Sequence, residues 1–421
     1  MKIGPLTLSI LAAVPLVILI TGADAPKDVP TTGVLRQEAE KLMRDGNVKE
    51  AGDLFQKLAL NPEDEPASVG NDLNQAIACL NQLNRANEND GFREKVIAAH
   101  SNNWRLLYTA AQSCFNDQHH GTIIAGDFQR GPHRGGDGKW VNSFERDRVR
   151  ALQLMVQARD RREPDVAPGN RMGVASTPSD VADFYINFAQ YLMGYSGHNE
   201  AWRLQYLSDL SRLPDYDEGY RHYGGEASRG APVDADGNPV FHRVPKNWQD
   251  AASDGERWRW VLNRAMELSA GHANLVRMEL ANFFDQQFGV QTMAYYGYPW
   301  GRQDEDDTKK DESGPFAVQS LDENETIARL ATGIKRFRLP EEFNFIALYT
   351  QVADTGKTGG YGEQALQRLA EIFENRRQYD RAVDFWRRNI REHGPGHDNW
   401  KQKRVDQILN AWGQFEGVGT F

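Results

Sequence analysis

The chain has 421 residues, and its 59 Asp and Glu against 49 Lys and Arg give a formal net charge of −10. With Gly counted and Tyr left out, apolar residues make up about 46% of the chain, an ordinary globular share, which excludes disordered, collagen-like and membrane-bundle classes for its bulk. The acidic balance argues against nucleic acid and anionic membrane as main partners, and two cysteines are too few for a disulfide-dense scaffold or a four-thiolate metal site.

At the N-terminus, Lys2 precedes an apolar run over residues 6–20, followed by Thr21-Gly22-Ala23-Asp24-Ala25. A short positive end, an apolar middle and small residues before a cut are the layout of a secretory signal peptide. Residues 1–25 are therefore expected to direct export to the periplasm or cell envelope. Pro26 disfavours cleavage after Ala25, and the run is shorter than the ~20 residues of a bilayer span. A cleaved leader and a membrane tether through residues 6–20 both stay open.

Helices in pairs come next. Leu35, Ala39, Leu42, Val48, Ala51, Phe55 and Leu58 recur at helical spacing, with Gly46 in the break and Pro62 after the second helix. A shift that carries Ala51 onto Ala382 also carries Leu35 onto Leu366, Ala39 onto Ala370, Leu42 onto Phe373, Val48 onto Tyr379 and Phe55 onto Trp386. Small residues let two antiparallel helices approach, and large ones fill the gap to the next pair; this resembles the tetratricopeptide repeat. Between these ends, the spacing predicts helices over 67–86, 101–116, 143–158, 178–194, 199–212, 254–270 and 271–288. Thr177 is the predicted N-cap of the helix that Pro178 opens, and Pro340 is expected to open a helix carrying Phe343, Phe345 and Leu348. Two stretches read as non-helical: a short strand over 121–128 leading into a Gly-rich loop at 131–138, and a hairpin over 230–245 turning at Asp236-Gly237. Residues 301–314, with six acidic and three basic side chains and no apolar one, read as a solvated loop or hinge. The fold class expected is mainly α, a superhelical stack of antiparallel pairs with one β-hairpin insertion. It would run as one array over 26–300 and, beyond the acidic loop, as tetratricopeptide-like helices over 315–421.

Chemistry is sparser. His119, His120 and His133 with Asp117, Asp127 and Asp137 form the one cluster that invites a metal. No H-E-x-x-H is present, and a loop with surface histidines is the better reading. His393 and His397 have helical separation, but Gly394-Pro395-Gly396 breaks the helix between them. Asp234-Ala235-Asp236-Gly237-Asn238 opens like a calcium loop, lacks the closing Glu, and is explained by a hairpin turn. The loop at 131–138 has no G-K-[ST] and no dinucleotide pattern around it. With no G-x-S-x-G, S-x-x-K or cysteine-nucleophile setting, no catalytic residue, cofactor or metal is assigned. Trp258 shares a helix face with Val261, Leu262 and Ala265 and reads as core. Tyr295, Tyr296, Tyr298 and Trp300 have no helical period; they would cap the helix stack or contact a partner protein. Cys79 and Cys114 would be either a disulfide closing a loop worth ~3 kcal/mol in an oxidising compartment or two small buried hydrophobes.

Several segments, in order along the chain, resemble the N-terminal helical region of bacterial alpha-2-macroglobulin-like proteins. They are HGTIIAGDFQRGPHRGG (120–136), SFERDRVRALQLM (143–155), AWRLQYLSDLSRLPDYDEGY (201–220), GAPVDADGNPVFHRVP (230–245), DGERWRWVL (254–262), ETIARLATGIKRFRLPEEFNFI (325–346) and HGPGHDNWKQKRVDQI (393–408). The resemblance implies an envelope protein in which a helical arm precedes many β-sandwich domains, and which traps proteases through a cleavable bait segment, some members carrying a thioester. A thioester needs a Cys in a C-x-E-Q setting, and neither Cys79 (ACLN) nor Cys114 (SCFN) has one. After NAWGQFE (410–416), where the β domains would begin, the sequence stops. The expected role is therefore non-catalytic protein–protein contact, as such an arm or as a free-standing envelope assembly scaffold. A helical toroid enzyme with a metal near His120 and His133 is the rival from another class.

Overall fold

A computed structural model of the chain describes residues 31–133, 135–136, 138–162, 177–219, 230–290, 317–357 and 359–413. The expected leader, the aromatic residues Tyr295, Tyr296, Tyr298 and Trp300, and the acidic stretch 301–314 lie outside them. Among the described residues the fold is mainly helical, with a small antiparallel sheet and a separate two-stranded ribbon. No helix among them is long and apolar enough to cross a membrane.

The first pair is α1 (Thr32–Arg44) and α2 (Val48–Ala59). Gly46 turns the chain between them at φ +82°, where the Asn47 N–H reaches back to Leu42 O at 2.9 Å, a helix end that a Cβ would strain. α3 (Val69–Gln82) lies against α2. A Cβ on Gly52 would stand 2.9 Å from the Cys79 Cβ, so the absence of a side chain there permits the close crossing of α2 and α3. α4 (Asn89–Ala99) and α5 (Trp104–Phe115) follow, then α6 (Phe144–Arg162), α7 (Pro178–Met193), α8 (Asp254–Leu268) and α9 (Ala273–Phe288). α10 (Phe345–Thr355), α11 (Tyr361–Asn375), α12 (Tyr379–His393) and α13 (Trp400–Gln407) complete the series. Every substantial helix–helix contact joins helices adjacent in the chain or one apart. One apolar cluster runs through the stack from Ala39 to Ala382, and a second, around Val383, Trp386, Val405 and Ile408, closes its C-terminal end. Trp258 is core, as its helix face predicts. Thr177 caps α7 in a reciprocal capping box with Asp180.

The structure corrects several expectations. α4 was not foreseen, since its apolar stripe is only Phe92, Val96 and Ile97. Residues 199–212 are not a helix: two short 3-10 turns, Gly197–Glu200 and Arg203–Gln205, give way to extended chain. Neighbouring side chains take the main-chain groups there, Gln153 donating to Leu210 O at 3.1 Å and Arg146 to Pro214 O at 2.8 Å. The single strand at 121–128 is two, β1 (His120–Ile124) and β2 (Asp127–Arg130), because Ala125 and Gly126 both take positive φ in a tight turn. With β3 (Lys139–Asn142) and β4 (Asp217–Glu218) they form a sheet in the order β2-β1-β3-β4. The 230–245 hairpin shrinks to a turn with one bridge, Val233 to Pro239, since Pro232 and Pro239 withhold ladder donors. Instead β5 (Glu325–Leu330) and β6 (Gly333–Arg338) make an unforeseen hairpin. Pro340 precedes a 3-10 turn that holds Phe343, and Asn344 caps α10 from Phe345 onward.

Candidate functional site

The β1–β2 hairpin is tied to the helices by a buried guanidinium. Arg130, 5% exposed, donates to Asp90 at 2.9 Å, to both oxygens of Asp147 at 2.8 and 2.9 Å, and to Gln118 O at 2.7 Å. On its far side Arg93, also buried, holds Asp90 at 2.8 Å and pairs with Asp117. Asp147, on α6, also accepts from Ser143 Oγ at 2.6 Å and meets His119 Nδ1 at 2.8 Å. The other His119 ring nitrogen lies 3.1 Å from Phe115 O, so the imidazole is held from both ends. Burial alone would raise the Asp147 carboxyl; the bonds from His119, Arg130 and Ser143 outweigh it and hold the group at about 2. Burial would likewise discharge Arg130 and Arg93, but the surrounding carboxylates keep both firmly charged.

A pH dependence follows. The Asp147 pKa falls from 3.8 unfolded to about 2 folded. Its contribution, about 2 kcal/mol, is complete above pH 4 and disappears as pH falls through 2. Urea unfolding of wild type and Asp147→Asn between pH 5 and pH 2 should show that limb in the wild type alone.

Beside this anchor lies a polar cleft of about 450 Å³, between the turn after α3 and the end of β2. Its walls carry five carboxamides, Asn81, Asn84, Asn87, Gln118 and Gln129, with His133 at one end. Two backbone positions shape it. Asn84 takes φ +58°, and Gly131, at φ +93°, passes so close that an added Cβ would lie 3.2 Å from the Gln118 side chain and 3.4 Å from Ala86. Carboxamides each supply donors and an acceptor without a charge, the complement of an extended polypeptide main chain.

The residues weighed for a metal are dispersed over this region. His119 and Asp117 are not surface loop residues but members of the buried ionic cluster. His120 stacks on Trp140, with ring centroids 5.8 Å apart and planes 10° from parallel, and Asp127 is exposed at the start of β2. His133 lines the cleft, and Asp137 lies outside the described residues. Among the described residues no three His, Cys, Asp or Glu side chains are grouped to hold a metal ion. Asp234 spends its carboxylate on its own turn, accepting from the Asp236 and Asn238 N–H groups at 3.0 and 2.8 Å. Cys79 and Cys114 are free buried thiols and form no disulfide. Cys79 packs toward Gly52 and Met43, and burial raises both thiols, Cys114 to about 11.

The buried arginines were not legible as site residues, since nothing in the local sequence around Arg93, Arg130 or Arg148 marks a cation as buried; their carboxylate partners lie elsewhere in the chain or one helical turn away. The one available signal was Q-R-G-P at 129–132, a charge next to a turn inside a stretch singled out on other grounds. Compared with known proteins, the chain matches no family model and no curated sequence.

Proposed function

We propose that the chain is an exported, non-catalytic protein-interaction scaffold, the N-terminal helical arm of an alpha-2-macroglobulin-like protease-trapping protein. The observation that carries this reading is that, from α1 to α13, the substantial helix–helix contacts join helices adjacent in the chain or one apart. Such packing spreads surface along a line instead of closing it around one cavity, and a stack of this kind curves into a superhelix that binds polypeptide along its length. The carboxamide cleft suits that use, because it offers hydrogen bonds to a main chain whatever side chains the partner carries. Within a trapping protein the arm would position a partner segment and leave the covalent chemistry to domains that follow.

The test is the reading frame beyond Phe421. Sandwich-domain sequence continuing in frame is the expected result. A stop codon followed by an unrelated gene overturns the arm and leaves a free-standing envelope scaffold in its place.

A further inference from the structure

Among the described residues, the β5–β6 ribbon ends in an open edge. The Leu339 N–H donates to Asn324 O at 2.7 Å, and the register runs from Glu325 opposite Arg338 to Leu330 opposite Gly333. In an antiparallel ladder this alternation bonds Gly333, Lys335 and Phe337 to β5 and turns the main-chain N–H and C=O groups of Ile334, Arg336 and Arg338 outward. The far edge of β5 obeys the same alternation, with Arg329 O accepting from the Ala231 N–H at 2.8 Å. Ala231 thus occupies part of that edge, whereas among the described residues no strand pairs with the outer edge of β6. The edge is preformed, since Phe337 packs on Phe288 of α9 at 6.0 Å and the Thr326 hydroxyl donates to Phe288 O.

We propose that this edge takes up an extended acidic segment of a partner protein by strand addition. Charge selects the occupant. β6 reads GIKRFR, three cations and no acid in a chain of net charge −10. A second copy of β6 would set Lys335, Arg336 and Arg338 against like charges, which disfavours self-pairing. A strand with Glu or Asp at alternate places instead meets Arg338 on the face where Ile334 stands 63% exposed, beside Arg336, which Glu325 holds at 2.7 Å. Arg338 and its partner Asp322 are both 62% exposed. Such a pair holds little free energy of its own, so an incoming carboxylate displaces it at small cost. This inference stands on the ribbon alone and survives or fails independently of the reading frame beyond Phe421.

The probe is a labelled, capped peptide of alternating glutamate and valine, titrated into the full chain and followed by fluorescence anisotropy at low salt. Saturable binding is expected, with none for the matching lysine–valine peptide. Ile334→Pro removes an outward N–H and an exposed side chain without touching the ladder; it should weaken binding about tenfold or more, ~1.4 kcal/mol or above. Arg338→Glu keeps the main chain intact, lies on the face that the carboxylates meet and should weaken the acidic peptide as well, which guards against a proline variant that fails to fold. Equal binding of both peptides, no binding of the acidic one, undiminished binding by both variants, or a dimer of the wild type that Ile334→Pro abolishes would each overturn the proposal.

Discussion

Between pH 7 and pH 4 the folded chain is expected to lose about 3 kcal/mol of stability through one side chain, His242. The ring is buried, 6% exposed, and seated over Gly255, where an added Cβ would come within 2.3 Å of it. Its Nδ1 lies 3.5 Å from the Ser253 hydroxyl that caps α8, and its main-chain carbonyl accepts from Arg259 at 3.0 Å. Among the described residues no carboxylate bonds the ring, and the charge of Arg259, which pairs with Glu342, acts on it. Burial first, and the Arg259 charge second, depress the group from 6.5 to about 4. The sign is fixed by which state takes the proton. As pH falls through 6.5 the unfolded chain binds it and the folded chain does not, so stability is complete above 6.5 and drains away until 4. Urea unfolding of wild type and His242→Gln at pH 7, 5.5 and 4 isolates the effect as a difference, because other titrations are shared. Superimposable profiles for the two proteins would mean that the ring is hydrated in the folded state.

Element type was readable wherever burial follows a regular period. The paired helices at each end, the α6 to α9 region and the core position of Trp258 all announce themselves through apolar spacing, because a stacked helix must bury one stripe. The failures share a different cause. Residues 199–212 have helical spacing, but Gln153, Arg146 and Asp254 compete for the main-chain and hydroxyl groups around them, and that competition lies far away in the sequence. β5 and β6 were hidden because their alternation is written in mixed chemistry: Thr326, Ala328 and Leu330 point inward, while Arg336 and Arg338 point out. The cleft was least legible of all. Its carboxamides come from α3, the turn after it, the link between α5 and β1, and β2, and only the fold brings them together. What the sequence did carry was the neighbourhood, since the stretch 120–136 supplies Gln129, Gly131 and His133.

Arg130→Met should be the most damaging single change in the described structure, at about 3–5 kcal/mol. The methionine keeps the apolar body that lies over Phe128, where the guanidinium carbon sits 5.3 Å from the ring centroid. What it removes is the cation shared by Asp90 and Asp147, with Asp117 a further 3.7 Å away. Arg93 remains to serve Asp90 and Asp117, so the cost concentrates on Asp147, a buried carboxylate then left with Ser143 and His119. Adding Asp147→Asn removes the stranded charge, and the double variant should regain ~2 kcal/mol over Arg130→Met alone, a coupling of the size neighbouring charges show. The acid response should also change sign. In the wild type Asp147 is stabilising only while ionised; without Arg130 burial dominates and favours its protonated form. Relative to wild type, Arg130→Met should therefore recover stability as pH is lowered toward about 5. Chemical unfolding of the two single variants and the double variant at pH 7 and at the lower pH reads both effects. A loss below ~1 kcal/mol, or additivity of the two substitutions, would show that the hairpin is held to α6 by its apolar contacts and not by the ion cluster.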